Sequence, residues 1–292
     1  MKPYIQVGAG TILFGPPGRG KSYVQMLMAV TVDSGGTDEL WESTIHKSML
    51  VNLERSKQSV MYRLARVNIA LGYGHNRDLW MLNARGHSLS DVHDAIRKAV
   101  EEHAVEIVFV DSISRAGMGD LNGNREANAI IDMLNRVAPT WVAIGHTPRA
   151  DESHLYGGIH FEAGADIMVK LTSEKTPTSL GIALTITKAN DMGIPAHPEY
   201  IALDFDETIG LVGVRRPHKA EFIELEGETK LSLREEVVDY LRDVTKATAT
   251  QTAEALKRNR SNIASLFAND GRFVFVARNS EGSFYGLRSF ET

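Results

Sequence analysis

Near the start of the chain, Gly15-Pro16-Pro17-Gly18-Arg19-Gly20-Lys21-Ser22 carries G-x-x-x-x-G-K-S at every fixed position. Each residue type in that pattern has a chemical task. Gly15, Gly18 and Gly20 allow the backbone to turn its N–H groups inward around a phosphate, and Lys21 adds a point charge for the β- and γ-phosphate oxygens. Ser22 offers a hydroxyl ligand to Mg²⁺. The run therefore predicts a site for ATP and Mg²⁺ over Gly15 to Ser22, with Tyr23 opening the helix that follows. Its flanks agree: Thr11 to Phe14 reads as a short buried strand, and Tyr23 to Val32 as a helix whose N-terminus faces the phosphates.

Further acids and a histidine stand at the ends of other apolar runs. Val108-Phe109-Val110 ends in Asp111, the place from which a carboxylate holds Mg²⁺ through water or the loop hydroxyl, although an Asp there also caps turns. Leu50-Val51-Asn52-Leu53 ends in Glu54, a candidate base for an attacking water; by position alone it serves equally as an acid in the first turn of a helix. Trp141 to Gly145 leads into His146, and a lone His at a strand end is commonly a hydrogen-bonded turn residue. His146, His154 and His160 invite a metal reading, but the glycines and charges between them and the lack of a Cys or a helical His pair argue against it.

These residues need a scaffold that aligns strand ends. Strands expected at Thr11 to Phe14, Ser48 to Leu53, Leu79 to Leu82, Glu106 to Val110 and Trp141 to Gly145 alternate with helices at Lys57 to Leu71, Leu89 to His103 and Glu126 to Val137. That rhythm predicts an α/β domain with a mainly parallel sheet. After Tyr156, strands at Asp166 to Leu171, Gly181 to Thr187 and Tyr200 to Asp204 follow without helices, which predicts an antiparallel extension. The ATPase domain is expected over 1–214, a polar linker over 215–230, and a second small domain over 231–292.

In that second domain, helices at Leu231 to Arg242, Thr250 to Lys257 and Ser261 to Asn269 precede a hairpin of Arg272 to Ala277 and Ser283 to Leu287 around a turn-rich Asn279 to Gly282. Three helices and a hairpin predict a winged helix-turn-helix, with Thr250 and Asn259 as N-caps. The stretch from Glu254 to Arg288 is locally +3 in a chain of −5, a usable DNA surface in which Arg258, Arg260 and Arg278 are the candidate contacts. Winged helices also dock proteins, and scattered charge on a small domain is usually solvated surface.

The order GPPGRGKS, VNLERS with MYRLAR, VFVDS, AIGHT, EAGADIMVKL and TITKANDMG resembles the RecA-like ATPase core of DnaB-type and RepA-type hexameric replicative helicases, and more distantly RadA/KaiC-like ATPases. The resemblance implies a RecA-like P-loop NTPase core, with Glu54 as catalytic base, Asp111 on Mg²⁺, His146 as γ-phosphate sensor and Lys188 as a finger reaching the neighbouring subunit's site. It implies a homo-oligomer, a hexamer, with single-stranded DNA in a central channel. Arg149 and Tyr156, in the loop from Arg149 to Phe161, fall where channel contacts occur; the same loop reads equally as plain surface, and the glycine-rich stretch from Arg115 to Arg125 is open to the same role. Lys188-Ala189-Asn190 lacks the arginine of the family's Lys-x-Arg finger, for which Arg149 or Arg215 are the substitutes by location. The phosphate loop starts close to Met1, so the amino-terminal domain of DnaB-type helicases is expected to be absent.

Composition narrows the class. With 43% hydrophobic and 24% charged residues among 292, no cysteine, and no apolar run of about 18 residues, an ordinary globular protein of the cytoplasm of a bacterial, archaeal or virus-infected cell is expected, with no membrane partner. The net charge of −5 requires that any DNA contact come from a local basic surface. The reading that emerges is a Mg²⁺-dependent DNA helicase of phage or plasmid type. Its rivals are a RadA-like recombination ATPase or a packaging or mobilisation motor, and, in another class, a nucleotide-switched winged-helix regulator.

Overall fold

The computed structural model describes residues 1–36, 40–113, 124–147, 159–218, 221–228, 233–279 and 282–287. The chain divides into two compact units, Met1–Gly227 and Glu228–Thr292.

In the first unit the parallel strands are β1 (Gly10–Gly15), β2 (Ser48–Asn52), β3 (Trp80–Asn83), β4 (Ile107–Asp111), β5 (Thr140–His146) and β6 (Ile167–Lys175). They are followed by the antiparallel β7 (Ser179–Ala189), β8 (Glu199–Asp206) and β9 (Gly210–Arg215). Among the described residues these nine strands form one sheet in the order β3-β2-β4-β5-β1-β6-β7-β8-β9. The central strands are apolar at nearly every position because both faces are covered. Leu13, Leu50, Phe109, Val142 and Val169 face a core shared with α1 (Lys21–Ser34) and α2 (Lys57–Ala70). Ile12, Val51, Val108, Val110 and Ala143 face the other core, closed by α3 (Leu89–His103), α4 (Asn124–Val137) and α5 (Ile159–Gly164).

Helix α1 is buried from Val24 to Val32, so its sequence is apolar all round instead of striped. Within that buried stretch Gln25 donates from Nε2 to the Val110 carbonyl of β4 (3.2 Å) and the Val142 carbonyl of β5 (3.0 Å). Helix α2 starts at Ser56, whose side chain accepts from the Ser59 amide, and α3 at Ser88, which forms a capping box with Asp91.

Two sequence expectations change here. Strand β9 went unnoticed because an edge strand with one fully buried position, Leu211, shows no apolar alternation. The expected linker is not uniformly a linker: Arg215 closes β9, and Phe222 and Leu225 bury against Ala183 and Ala202 around a short α6 (Ile223–Glu228). Two apolar residues in a polar run carry no period, so only their docking on the sheet reveals the role.

The second unit contains α7 (Leu233–Val244), β10 (Lys246–Thr248), α8 (Ala249–Leu256), α9 (Arg260–Asn269), β11 (Phe273–Asn279) and β12 (Gly282–Leu287). Its three strands pair antiparallel in the order β10-β12-β11, over a core of Val237, Leu241, Ile263, Phe267 and Phe273. Asn259 caps α9 by accepting from the Ser261 amide. The cap of α8 is Thr248, in a capping box with Gln251; Thr250 lies inside the helix, where its hydroxyl accepts from Arg260 Nε. The short β10 pulls the chain into extended geometry at Thr248, two residues before the sequence expectation. Thr248→Ala is therefore expected to cost the second unit about 1 kcal/mol in urea unfolding, and Thr250→Ala less than about 0.5 kcal/mol. Equal losses would put the helix start elsewhere.

Candidate nucleotide site

Sheet register brings the sequence-predicted groups together. Gly15 of β1 is level with His146 of β5, and Asn52 of β2 with Asp111 of β4, so four neighbouring parallel strands present their carboxyl ends at one edge. Ligands gather at that edge in open α/β sheets. Beside it lies a cleft of about 600 Å³, lined by Pro17 to Tyr23, Glu54, Arg55, Arg63, His146, the turn from Lys175 to Leu180, and Phe205 to Glu207.

The phosphate loop leaves β1 at Gly15, where a Cβ would run into the Leu171 carbonyl oxygen. Gly18 and Gly20 adopt φ of +79° and +89°, the left-handed region that favours glycine, and Gly20 caps α1. Lys21 is 4% exposed and donates from Nζ to the carbonyls of Gly15 (2.6 Å) and Pro16 (2.7 Å). Burial pushes its pKa down to about 8, against the opposing pull of Asp111 and Glu54.

Asp111 ends β4 and is also 4% exposed. Burial raises its carboxyl above the ordinary range; the Ser22 hydroxyl bonded to it pulls the other way, and the Glu54 charge raises it further. A buried carboxylate touching a hydroxyl at the start of α1 is a hard-oxygen donor pair of the kind Mg²⁺ takes when phosphate oxygens and water complete its shell. Asp111 and Ser22 therefore fit the ion that the motif implies. When bound, Mg²⁺ neutralises charge on the phosphate oxygens.

Glu54 stands two residues beyond β2 on a turn held by Asn52. The Asn52 side chain accepts from the Arg55 amide (3.0 Å) and donates to the Arg55 carbonyl (2.7 Å) and to the Asn83 side chain. One carboxylate oxygen of Glu54 accepts from the Ser112 hydroxyl and lies 3.4 Å from His146 Nε2. A carboxylate only accepts, so Nε2 carries the proton, while His146 Nδ1 is buried without a hydrogen-bond partner. Glu54, Asp111, His146 and Lys21 thus form one cluster around the phosphate loop.

Other expected site residues sit elsewhere. Lys188 Nζ donates to the carbonyls of Glu162 and Ala165, both at 2.6 Å, and so closes the C-terminal end of α5 within its own chain. Arg215, named as a substitute finger, is held by Asp204 and Glu221 on both sides of its guanidinium. Within the chain that guanidinium is thus engaged with two carboxylates. Arg149 and Tyr156, the glycine-rich stretch with Gly117, Gly119 and Gly123, and His154 lie outside the described residues. In the second unit Arg258 forks onto Glu236, Arg260 bonds Thr250, and Arg278 projects from the exposed end of β11.

Sequence reasoning missed Arg55, Arg63 and Phe205. The Arg63 guanidinium lies 4.7 Å over the Tyr23 ring, which meets Phe205 edge-on at 5.6 Å. Arg55 was findable as the neighbour of Glu54, whereas Phe205 comes from β8 and carries no local signal.

A family model described as an AAA domain matches residues 1–150, over half of the chain, and the chain belongs to that family. It is a P-loop ATPase with a RecA-like α/β core. The matched span holds the phosphate loop, Glu54, Asp111 and His146, while Lys188 and the second unit lie beyond it. No curated protein matches the chain.

Lys21→Ala is expected to keep its fold and to lose ATP binding or turnover; full ATPase activity in that variant would refute the site. Glu54→Gln is expected to bind ATP and Mg²⁺ yet hydrolyse about 10² to 10⁴ more slowly, since the amide keeps the shape and loses the basicity. If Glu54→Gln and Asp111→Asn both turned over normally, the acids would be wrongly assigned.

Proposed function

We propose that this ATPase is a ring-forming motor on DNA, a replicative helicase of phage or plasmid type working in the cytoplasm as a hexamer around a single strand. The observation that carries the reading is the Glu54 carboxylate, held by Ser112 and His146 beside Lys21 and Asp111. A protein that only senses nucleotide has no need of an oriented base, whereas a motor must hydrolyse in every cycle. In the proposed step Glu54 takes a proton from water as the water oxygen attacks the γ-phosphorus, and ADP departs with the bridging oxygen. Ser112 and the His146 Nε2–H hold the carboxylate toward the water, Lys21 meets the charge on the β- and γ-oxygens, and Ser22 and Asp111 are the residues that would hold Mg²⁺.

The DNA part of the reading rests on two supports. One is the resemblance of the core to ring helicases. The other is the second unit, whose helices α7 to α9 and antiparallel strands follow the element order of a winged helix-turn-helix and carry Arg258, Arg260 and Arg278 on exposed positions. Nucleic-acid contacts of such arginines are electrostatic and weaken with salt.

Mass measurement of the assembly with ATP and single-stranded DNA is expected to give a hexamer, and a forked duplex is expected to be unwound with ATP. Specific binding to duplex without strand displacement would replace the motor by a regulator. Lys188 is tested by mixing Lys188→Ala with Glu54→Gln subunits. If Lys188 serves the neighbouring site, each variant alone is nearly inactive and mixed assemblies recover part of the activity. No recovery despite confirmed exchange would leave Lys188 as the anchor of α5.

A further inference from the structure

The cleft contains a cation that the mechanism above does not use. Arg55 follows Glu54 directly and lines the cleft with the phosphate loop. Its backbone is clamped at both ends of the residue by the Asn52 side chain. Its guanidinium is not: Nε is shut away from solvent with no hydrogen-bond partner, and among the described residues no acceptor pairs with the group. Other arginines of this unit are engaged, Arg19 with the Ser173 carbonyl, Arg66 with the Leu211 carbonyl, and Arg215 with Asp204 and Glu221. Arg55 as a whole is half-buried, but a charged donor atom shut away without an acceptor, as its Nε is, is costly unless a ligand completes it.

The charges around it indicate what kind of ligand that is. Arg63 stands on the same cleft, and its guanidinium is pushed below its ordinary pKa first by burial and then by the Arg55 charge. Arg19, Lys21, Arg55, Arg63 and Lys175 line the cleft against Glu54, Asp206 and Glu207, with Asp111 beside them, so cations are in excess and a polyanion offsets their mutual repulsion. The Lys188 ammonium, engaged with the carbonyls of Glu162 and Ala165, does not share that task within the chain.

We propose that Arg55 is a catalytic arginine acting in cis, whose guanidinium binds the terminal phosphate of the ATP held by its own chain and neutralises the oxygens of the transferred phosphoryl group. The proposal rests on the ATPase reading and deepens it. Glu54 and Arg55 then ride on one clamped turn at the end of β2, so the group that activates water and the group that stabilises the phosphoryl charge are positioned together. Asn52 positions both.

The test uses the full chain with ADP and a β,γ-imido analogue of ATP as calorimetric probes, together with steady-state hydrolysis. Arg55→Ala is expected to bind ADP within about twofold of wild type, to bind the analogue about tenfold more weakly, and to lose about 10² to 10³ in kcat, below the 10³ to 10⁵ of a full arginine finger. Arg55→Lys is expected to regain analogue affinity but little kcat, because an ammonium lacks the planar fork. Equal weakening of ADP and analogue, or no change in either, would overturn the proposal while the ATPase reading stood. Wild-type protein that binds neither nucleotide would remove that reading itself, and the proposal with it. Arg55→Gln, which keeps most of the side-chain volume, gives the same comparison if the alanine variant fails to fold. Because both groups belong to one site, mixing Arg55→Ala with Glu54→Gln subunits is expected to restore nothing; recovery would move Arg55 to a neighbour's site and refute action in cis.

Discussion

Everything at the site depends on the level alignment of four parallel strands buried on both faces. Gly15 opposite His146 and Asn52 opposite Asp111 define one edge. A slip of one residue in any of these strands would turn its apolar set from one core to the other, so the packing that stabilises the sheet also forbids the slip. Gln25 reinforces the alignment by bonding carbonyls of β4 and β5 from the helix above them. The geometry of the cluster is thus a consequence of hydrophobic register, and the polar groups inherit their positions from it.

Within that frame the electrostatics are mutually dependent. Lys21 is buried and its charge is disfavoured, yet Asp111 and Glu54 pull it back toward the protonated form. Asp111 is buried and pushed toward protonation, yet Ser22, Arg55 and His146 hold it toward the carboxylate. Neither sign is tolerable alone in so dry a site, and a phosphate with its Mg²⁺ brings both charges at once. Such a site favours a charged nucleotide over a neutral ligand of equal size.

The antiparallel strands build the opposite wall of the cleft. Ser179 donates to Asp204, Asp204 accepts from Arg215, and Arg215 reaches Glu221. This chain of bonds ties the turn from Lys175 to Leu180 to β8, the strand that also brings Phe205 to Tyr23. Burial of Phe222 and Leu225 on Ala183 and Ala202 stiffens the same strands from the other face. Residues with no part in phosphate chemistry therefore shape this wall of the cleft.

How much of this was legible beforehand follows from how far each signal reaches along the chain. The phosphate loop, the strand before it and the helix after it are local: glycine conformation, a fixed lysine spacing and an apolar run lie within about twenty residues, and the sequence by itself determined them. It also determined the alternating order of strands and helices, because burial on both faces writes continuous apolar runs into β1, β2, β4 and β5. Asp111 and Glu54 were visible as acids at strand ends, but a cap and a catalytic acid share that signature, and only the fold brought Ser112 and His146 onto Glu54. The engagement of Lys188 with α5, the network around Arg215, the docking of Phe222 and the unpartnered guanidinium of Arg55 had no local mark at all. Each depends on which strands lie side by side and on what is left without a partner once they do, and these are properties of long-range pairing that no window of residues contains.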